Sequence, residues 1–183
     1  KGLSFKLDGR GRILMPGLIA SNVDMTRLGL TLILAKPSVT RANGERPSGP
    51  PRPEDRDLAF VEAQQALLAA GITAVGATGA TIEDWQSWRR AGDAGQLRMR
   101  LVAYAAGTDA MVLIGGPGPT PWLYDDRLRL NGVALAYPGG ADDHLAETQL
   151  RNRMSRAAMD KFQVAVAVAD PGKVAAVDLA IAE

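Results

Sequence analysis

The sequence predicts an α/β fold built on a parallel sheet, and three observations carry that prediction. First, four nearly all-apolar runs recur between residues 71 and 170. They are Ile72-Thr73-Ala74-Val75-Gly76-Ala77, Met99-Arg100-Leu101-Val102-Ala103-Tyr104, Gly132-Val133-Ala134-Leu135-Ala136-Tyr137 and Val164-Ala165-Val166-Ala167-Val168-Ala169. Apolar runs without polar alternation mark strands buried on both faces, as parallel strands are. Second, the runs are spaced as strand, helix, strand, loop, strand, helix, strand. Third, the chain has 183 residues, 46% apolar and 22% charged, enough for a sizeable core in one domain. The expected organisation is a single α/β domain over 1–183. A short β-hairpin leads over 1–17, a loop follows over 36–54, and β/α repeats fill 55–183. About five parallel strands are expected, in chain order.

Composition excludes several functions. The net charge of +1 gives no broad electrostatic case for nucleic acid or an acidic membrane. There is no cysteine, hence no disulfide and no thiolate metal site. His144 is the single histidine, so a site needing several cannot form within one chain. No apolar run approaches the roughly 18 residues of a membrane span, and the first residues lack the apolar region of a signal peptide. A soluble, cytoplasmic protein is the expectation.

The elements follow in order. Leu3, Phe5 and Leu7 alternate with polar residues, Asp8-Gly9-Arg10-Gly11 supplies a tight turn, and Arg12-Ile13-Leu14-Met15 reads as the returning strand. The first sheet strand is expected within 13–20. Residues 24–35 read as a helix capped by Asn22 or Asp24, with Met25, Leu28, Leu32 and Ala35 on one face. Gly29 in its middle costs about 1 kcal/mol against alanine. The proline- and glycine-rich stretch 36–54 reads as a mobile loop. A helix over 54–70 starts behind Pro53, carries Glu54, Asp55 and Asp57 at its positive end, and stops at Gly71. Leu58, Val61 and Leu68 are expected towards its inner face, with Phe60, Ala63 and Leu67 beside them. Thr81-Ile82-Glu83-Asp84 opens the next helix with a capping-box-like pattern, and Arg89-Arg90 closes it. Helices over 146–161 and from Asp170-Pro171-Gly172 to Glu183 complete the set. In the last of these, Val174, Val177 and Ile181 are expected inward.

Each chemically suggestive group has a plain structural reading beside it. Trp85 and Trp88 are spaced for a ligand platform but equally for helix-to-sheet packing, which buried indole favours. The glycines of 115–122 lack the Gly-Lys-Ser/Thr of a phosphate loop and the dinucleotide fingerprint, and their prolines remove N–H donors. Asp125 and Asp126 are adjacent on a loop, where carboxylates diverge. Asp142-Asp143-His144 reads as a solvated turn, since consecutive ligands rarely converge on one ion. Arg151, Arg153 and Arg156 read as a solvated helix face. No catalytic, cofactor-binding or metal-binding residue is assigned on these grounds.

Several stretches nonetheless resemble the amidohydrolase-3 family of the metal-dependent amidohydrolase superfamily. They are Asp8-Gly9-Arg10-Gly11-Arg12-Ile13-Leu14-Met15-Pro16-Gly17-Leu18-Ile19, Ala69-Ala70-Gly71-Ile72-Thr73-Ala74-Val75, Pro119-Thr120-Pro121-Trp122-Leu123-Tyr124-Asp125-Asp126-Arg127-Leu128, and residues 149–166. The resemblance implies a partial, TIM-barrel-like parallel sheet with flanking helices. It also implies hydrolysis of amide C–N bonds by a water that one or two divalent metals activate, at the carboxyl ends of the strands.

At those ends this sequence departs from the pattern. Where the family has Asp-x-His-x-His, the chain reads Ala20-Ser21-Asn22-Val23-Asp24. The lysine position of the third-strand motif is Ala134, and the Val-Ala-Val-His element reads Val164-Ala165-Val166-Ala167. The second-strand end, often acidic, is Gly76-Ala77. The resemblance thus implies an amidohydrolase-like scaffold without its ligands, catalytically silent, either degenerate or engineered. The alternative is an active enzyme whose remaining ligands come from further sequence or a second chain. No cofactor is expected in this chain; zinc or another divalent metal belongs to the alternative. Too few strands for a closed barrel leave open sheet edges, so a homo-oligomer joined through an edge is expected.

Overall fold

A computed structural model describes residues 10–11, 13–36, 40–41, 44–45, 49–137, 143–175 and 177–178, with the backbone alone at 143–145. The strands are β1 (Leu18–Val23), β2 (Ile72–Ala80), β3 (Arg100–Ala106), β4 (Leu128–Tyr137) and β5 (Gln163–Val168). They form one sheet in the order β1-β2-β3-β4-β5, every neighbouring pair parallel. The helices are α1 (Met25–Ala35), α2 (Pro53–Ala69), α3 (Ile82–Asp93), α4 (Gly107–Gly115) and α5 (Asp143–Met159). The sheet is parallel, as the apolar runs predict, and it curls into a half-barrel, as the family resemblance implies. Closure of this type of barrel takes eight strands.

Side chains alternate across each strand, and the helices cover one face of the sheet. Val75, Ala77, Leu101, Ala103, Ala105, Leu128, Leu130, Val133 and Leu135 are buried in one cluster with Met25, Phe60, Ala63, Trp85 and Trp88. Both tryptophans are therefore packing residues. The alternate residues face the concave side. There Val102, Tyr104, Arg129 and Ala134 are half-buried and Gln163 is exposed. Tyr104 Oη and Asn131 Nδ2 both donate to Gln163 Oε1 at 2.7 Å, tying three strands together across that face.

Several expectations change. Residues 13–17 are not strand, and Ile13 and Leu14 are 91% and 94% exposed. The sheet begins at Leu18, where the Leu18 N–H meets the Gly71 carbonyl at 2.9 Å. The outward arm of the expected hairpin lies outside the described residues. The stretch between the second and third apolar runs holds helix α4 rather than loop throughout. β4 starts four residues early, at Leu128, because Arg129 and Asn131 face the open concave side and need no apolar character. On α2 the buried face is Ala59, Phe60 and Ala63, while Leu58, Val61 and Leu68 are half-buried. On α1 it is Met25, Gly29 and Ile33, with Ala35 exposed. Asp24 is the N-cap, accepting from the Arg27 N–H at 2.8 Å. Asp143 and His144 lie in the first turn of α5, not in a free turn; Asp142 lies outside the described residues. A 3-10 turn, Pro171–Lys173, opens the last segment, where Val177 is buried but Val174 is 44% exposed. Ile181 lies outside the described residues.

Within the stretch 36–54, one described residue, Arg41, is tied to helix α2. Arg41 Nε and Nη2 donate to the two carboxylate oxygens of Asp55, each at 2.7 Å, with side chains 4% and 1% exposed. The Arg52 N–H adds a third bond at 2.9 Å, the half of a capping box in which the N3 carboxylate accepts from the N-cap backbone at the start of α2. Sequence reading missed this because arginine and aspartate lie 14 residues apart. The Arg41 hydrogen bonds hold the Asp55 carboxyl below the usual carboxylate range, against the opposing effect of burial, and the Arg52 N–H adds to the depression. A depressed carboxyl contributes stability that is complete above its unfolded pKa, about 4, and lost as pH falls through the lower folded value. Urea midpoints measured from pH 7 to pH 2 should therefore fall on the acid side. In Asp55→Asn the acid limb should be flatter; an unchanged slope would remove Asp55 from the account.

Candidate functional site at the carboxyl ends of the strands

In parallel barrels the strand carboxyl ends and the loops after them carry the chemistry. Here those ends surround a shallow depression of about 480 Å³. Asp24 follows β1, Thr78 and Gly79 come from β2, and Ala106 and Gly107 join β3 to α4. Ala134 and Ala136 belong to β4, Ala167 to β5, and Arg153 reaches the depression from α5. Thus three positions that the resemblance marks as ligand positions, Asp24, Ala134 and Ala167, do converge on one mouth. The fourth, Asn22, accepts a hydrogen bond from the Thr78 hydroxyl beside it. Ala77 instead points into the helix-covered core, at 1% exposure.

The parallel register brings this about. Ala134 sits beside Ala106 on one side and Ala165 on the other, and Ala136 beside Ala167. Gly76 is required where β1 passes: a Cβ there would stand 2.6 Å from the Ser21 carbonyl oxygen. The convergence was legible in the sequence through the strand pattern. Thr78 was not singled out, although its place as the first polar residue beyond an apolar run is a usable signal. Arg153 read as a solvated helix face, and nothing in its local sequence marks it as part of the mouth.

The mouth is poor in chemistry. Zinc sites are built from imidazole, thiolate and carboxylate ligands, three or four to an ion. Among the described residues there is no cluster of three such side chains. The carboxylate at the mouth, Asp24, is engaged as the α1 cap, and the Asn22 amide oxygen as the Thr78 acceptor. Apart from Arg153, the other described lining residues offer aliphatic groups, backbone and the Thr78 hydroxyl, which is bonded to Asn22. This donor set does not fit a catalytic divalent metal. Among the described residues it offers an apolar floor with Arg153 and Asp24 at its rim.

Other depressions lie away from the strand ends. One of about 550 Å³ runs between α2 and the turn leading into β3, beside Gln64, Gln96 and Arg98. Gln64 is consumed there, its Nε2 donating to the Gln96 carbonyl at 3.0 Å and its Oε1 accepting from the Arg98 N–H at 2.7 Å. A neighbouring one of about 340 Å³ is walled by Asp57, Ser87 and Arg90, where Ser87 and Arg90 both donate to the Asp57 carboxylate. Asp125 and Asp126 lie on a turn at the opposite, amino end of the strands, so they do not form a catalytic pair in the mouth. No helix among the described residues is long and apolar enough to cross a membrane.

No family model matches the sequence, and no curated protein matches it. Two solved structures resemble the fold. One is an uncharacterized metal-dependent hydrolase from Pyrococcus horikoshii OT3, with 19% identity and a TM-score of 0.52 over 63% of this chain. The other is an uncharacterized metal-dependent hydrolase from Pyrococcus furiosus, with 18% identity and a TM-score of 0.53 over 75% of this chain. The chain spans 28% and 36% of their respective lengths. At this identity the likeness concerns the fold.

Proposed function

We propose that this chain is an amidohydrolase-type half-barrel scaffold, akin to the amidohydrolase-3 family, that does not itself catalyse hydrolysis. One observation carries the reading: Asp24, Ala134 and Ala167 line a single mouth at the strand ends, yet two of the three are alanine and the third caps a helix. The strand packing around them is intact. Retained convergence with absent donors is what a silent scaffold needs and what a working metal hydrolase cannot use. The competing reading, an active hydrolase completed by further sequence or a second chain, draws support from the two metal-dependent hydrolases of similar fold.

Elemental analysis after dialysis against chelator, paired with hydrolysis of N-acyl amino acids in added Zn²⁺, separates the two. The scaffold reading expects no retained zinc and no hydrolysis above the metal-only background. Stoichiometric zinc or turnover overturns it. A second experiment tests the geometry. Asn22→His, Asp24→His and Ala167→His together place three imidazoles at the mouth, enough for an open tetrahedral site. Calorimetric titration should then show about one equivalent of Zn²⁺ bound, where the parent shows none. Loss of the Asp24 cap should cost about 1 kcal/mol of stability in the same variant.

A further inference from the structure

We propose that the rim at the amino ends of β3 and β4 is a self-complementary surface through which two copies of this chain associate about a two-fold axis. This inference is independent of the scaffold reading.

Trp122, 36% exposed, lies at this rim, in a segment running antiparallel beside the first half of β4. Thr120 fixes that segment: its N–H donates to the Leu130 carbonyl at 3.1 Å, and its hydroxyl accepts from the Leu130 N–H at 2.9 Å. Two guanidinium groups stand against the indole, Arg100 at 5.5 Å and Arg129 at 5.9 Å from the ring centroid. Neither forms an ion pair among the described residues. Arg100 donates its Nε to the Asp126 carbonyl at 2.8 Å, and Arg129 Nε is buried without a hydrogen-bond partner.

Beside this basic pair lies an acidic one. Asp125 and Asp126 are exposed, and neither carboxylate forms an ion pair among the described residues. Opposite charges sit next to each other without pairing: Arg100 holds the Asp126 carbonyl rather than a carboxylate. Tyr124, Asp125 and Asp126 are all left-handed, with φ of 55°, 54° and 61°. Tyr124 locks the turn: its hydroxyl donates to Asp93 at 2.8 Å, and its ring fills the space over Gly92, where a Cβ would approach to 2.5 Å.

A patch that holds both signs, not ion-paired among the described residues, is complementary to its own copy. A two-fold rotation sets Asp125 and Asp126 of each copy against Arg100 and Arg129 of the other, twice over. Trp122 then lies near the axis, and tryptophan and arginine are the residue types that dominate interface energetics. The sheet-edge association expected from the sequence is the competing mode, and it predicts that this rim is irrelevant.

Light scattering across a size-exclusion peak, with sedimentation equilibrium at about 50 µM, tests the proposal. The parent should run at twice the 19.3 kDa chain mass and dissociate as salt is raised. Arg100→Glu and Asp125→Lys, both at exposed positions, should each weaken the dimer by at least about tenfold, because each sets like charges together in both contacts. An equimolar mixture of the two variants should recover a heterodimer. In it the carboxylate introduced at position 100 of one copy meets the ammonium introduced at position 125 of the other, while the parental pairing remains at the second contact. Circular dichroism confirms that each variant is folded, and Trp122→Ser provides a charge-neutral variant with the same expected loss. A parent that stays monomeric, or a dimer indifferent to these substitutions, overturns the proposal. Weakening without recovery in the mixture overturns the pairing.

Discussion

Asp84→Ala should lower the stability of this protein by about 3 kcal/mol, at the lower end of what breaking a buried charge pair costs. Asp84 is 6% exposed and joins three helices. It accepts from the Thr26 hydroxyl of α1 at 2.6 Å, from Arg56 of α2, and from the Thr81 N–H and hydroxyl at 3.1 and 2.9 Å. Alanine removes the acceptor for all four donors. It leaves the Arg56 guanidinium, whose side chain is 19% exposed, without its carboxylate, and it opens the capping box of α3. For a domain of this size the melting temperature should fall by about 6–12 °C. Asp84→Asn keeps an acceptor and the side-chain volume, so it should fall by less. Equal losses in the two variants would show that charge and acceptor number are not what this position supplies.

Gly29→Ala should also destabilise, by about 2–3 kcal/mol, although alanine is the better helix former by about 1 kcal/mol. The reason is the closeness of α1 and α2. A Cβ at Gly29 would lie 1.9 Å from the Ala59 carbonyl oxygen and 2.4 Å from its carbonyl carbon. Both are backbone atoms of a buried helix and cannot rotate aside, so the helices must separate and give up packing around Met25 and Ile33. Guanidinium denaturation of the variant checks this. An increase in stability, as helix propensity alone would give, would show that the two helices are not held this close.

These two positions mark where sequence reasoning ends. Gly29 read as a mild local cost, and Asp84 as half of a local capping box, which it is. The other partners of Asp84 come from 58 and 28 residues away, and no local pattern announces them. The same holds for Arg41 and Asp55, which pair across 14 residues from a stretch whose composition shows only turn residues. Helix α4 was hidden for a different reason. It is short, bounded by Gly107 and Gly115, and almost entirely apolar, with Leu113 71% exposed, so it shows no polar stripe from which a helical period can be read.

At the candidate site the division is similar. The parallel sheet, its strand order and the gathering of residues 24, 134 and 167 at one end follow from apolar runs separated by helical segments. An apolar run suits a parallel strand even where, as here, its concave face stays partly open, and parallel strands bring their carboxyl ends to one side. That positions 134 and 167 supply no metal donor is equally a property of the sequence, because alanine cannot ligate in any fold. Only the tertiary structure decided that Arg153 reaches the mouth, that Asn22 is spent on Thr78, and that Trp122 lies between two arginines. These contacts join residues far apart in the chain. Periodicity and propensity act over a few residues, whereas such contacts depend on how the sheet curls and how closely its helices pack.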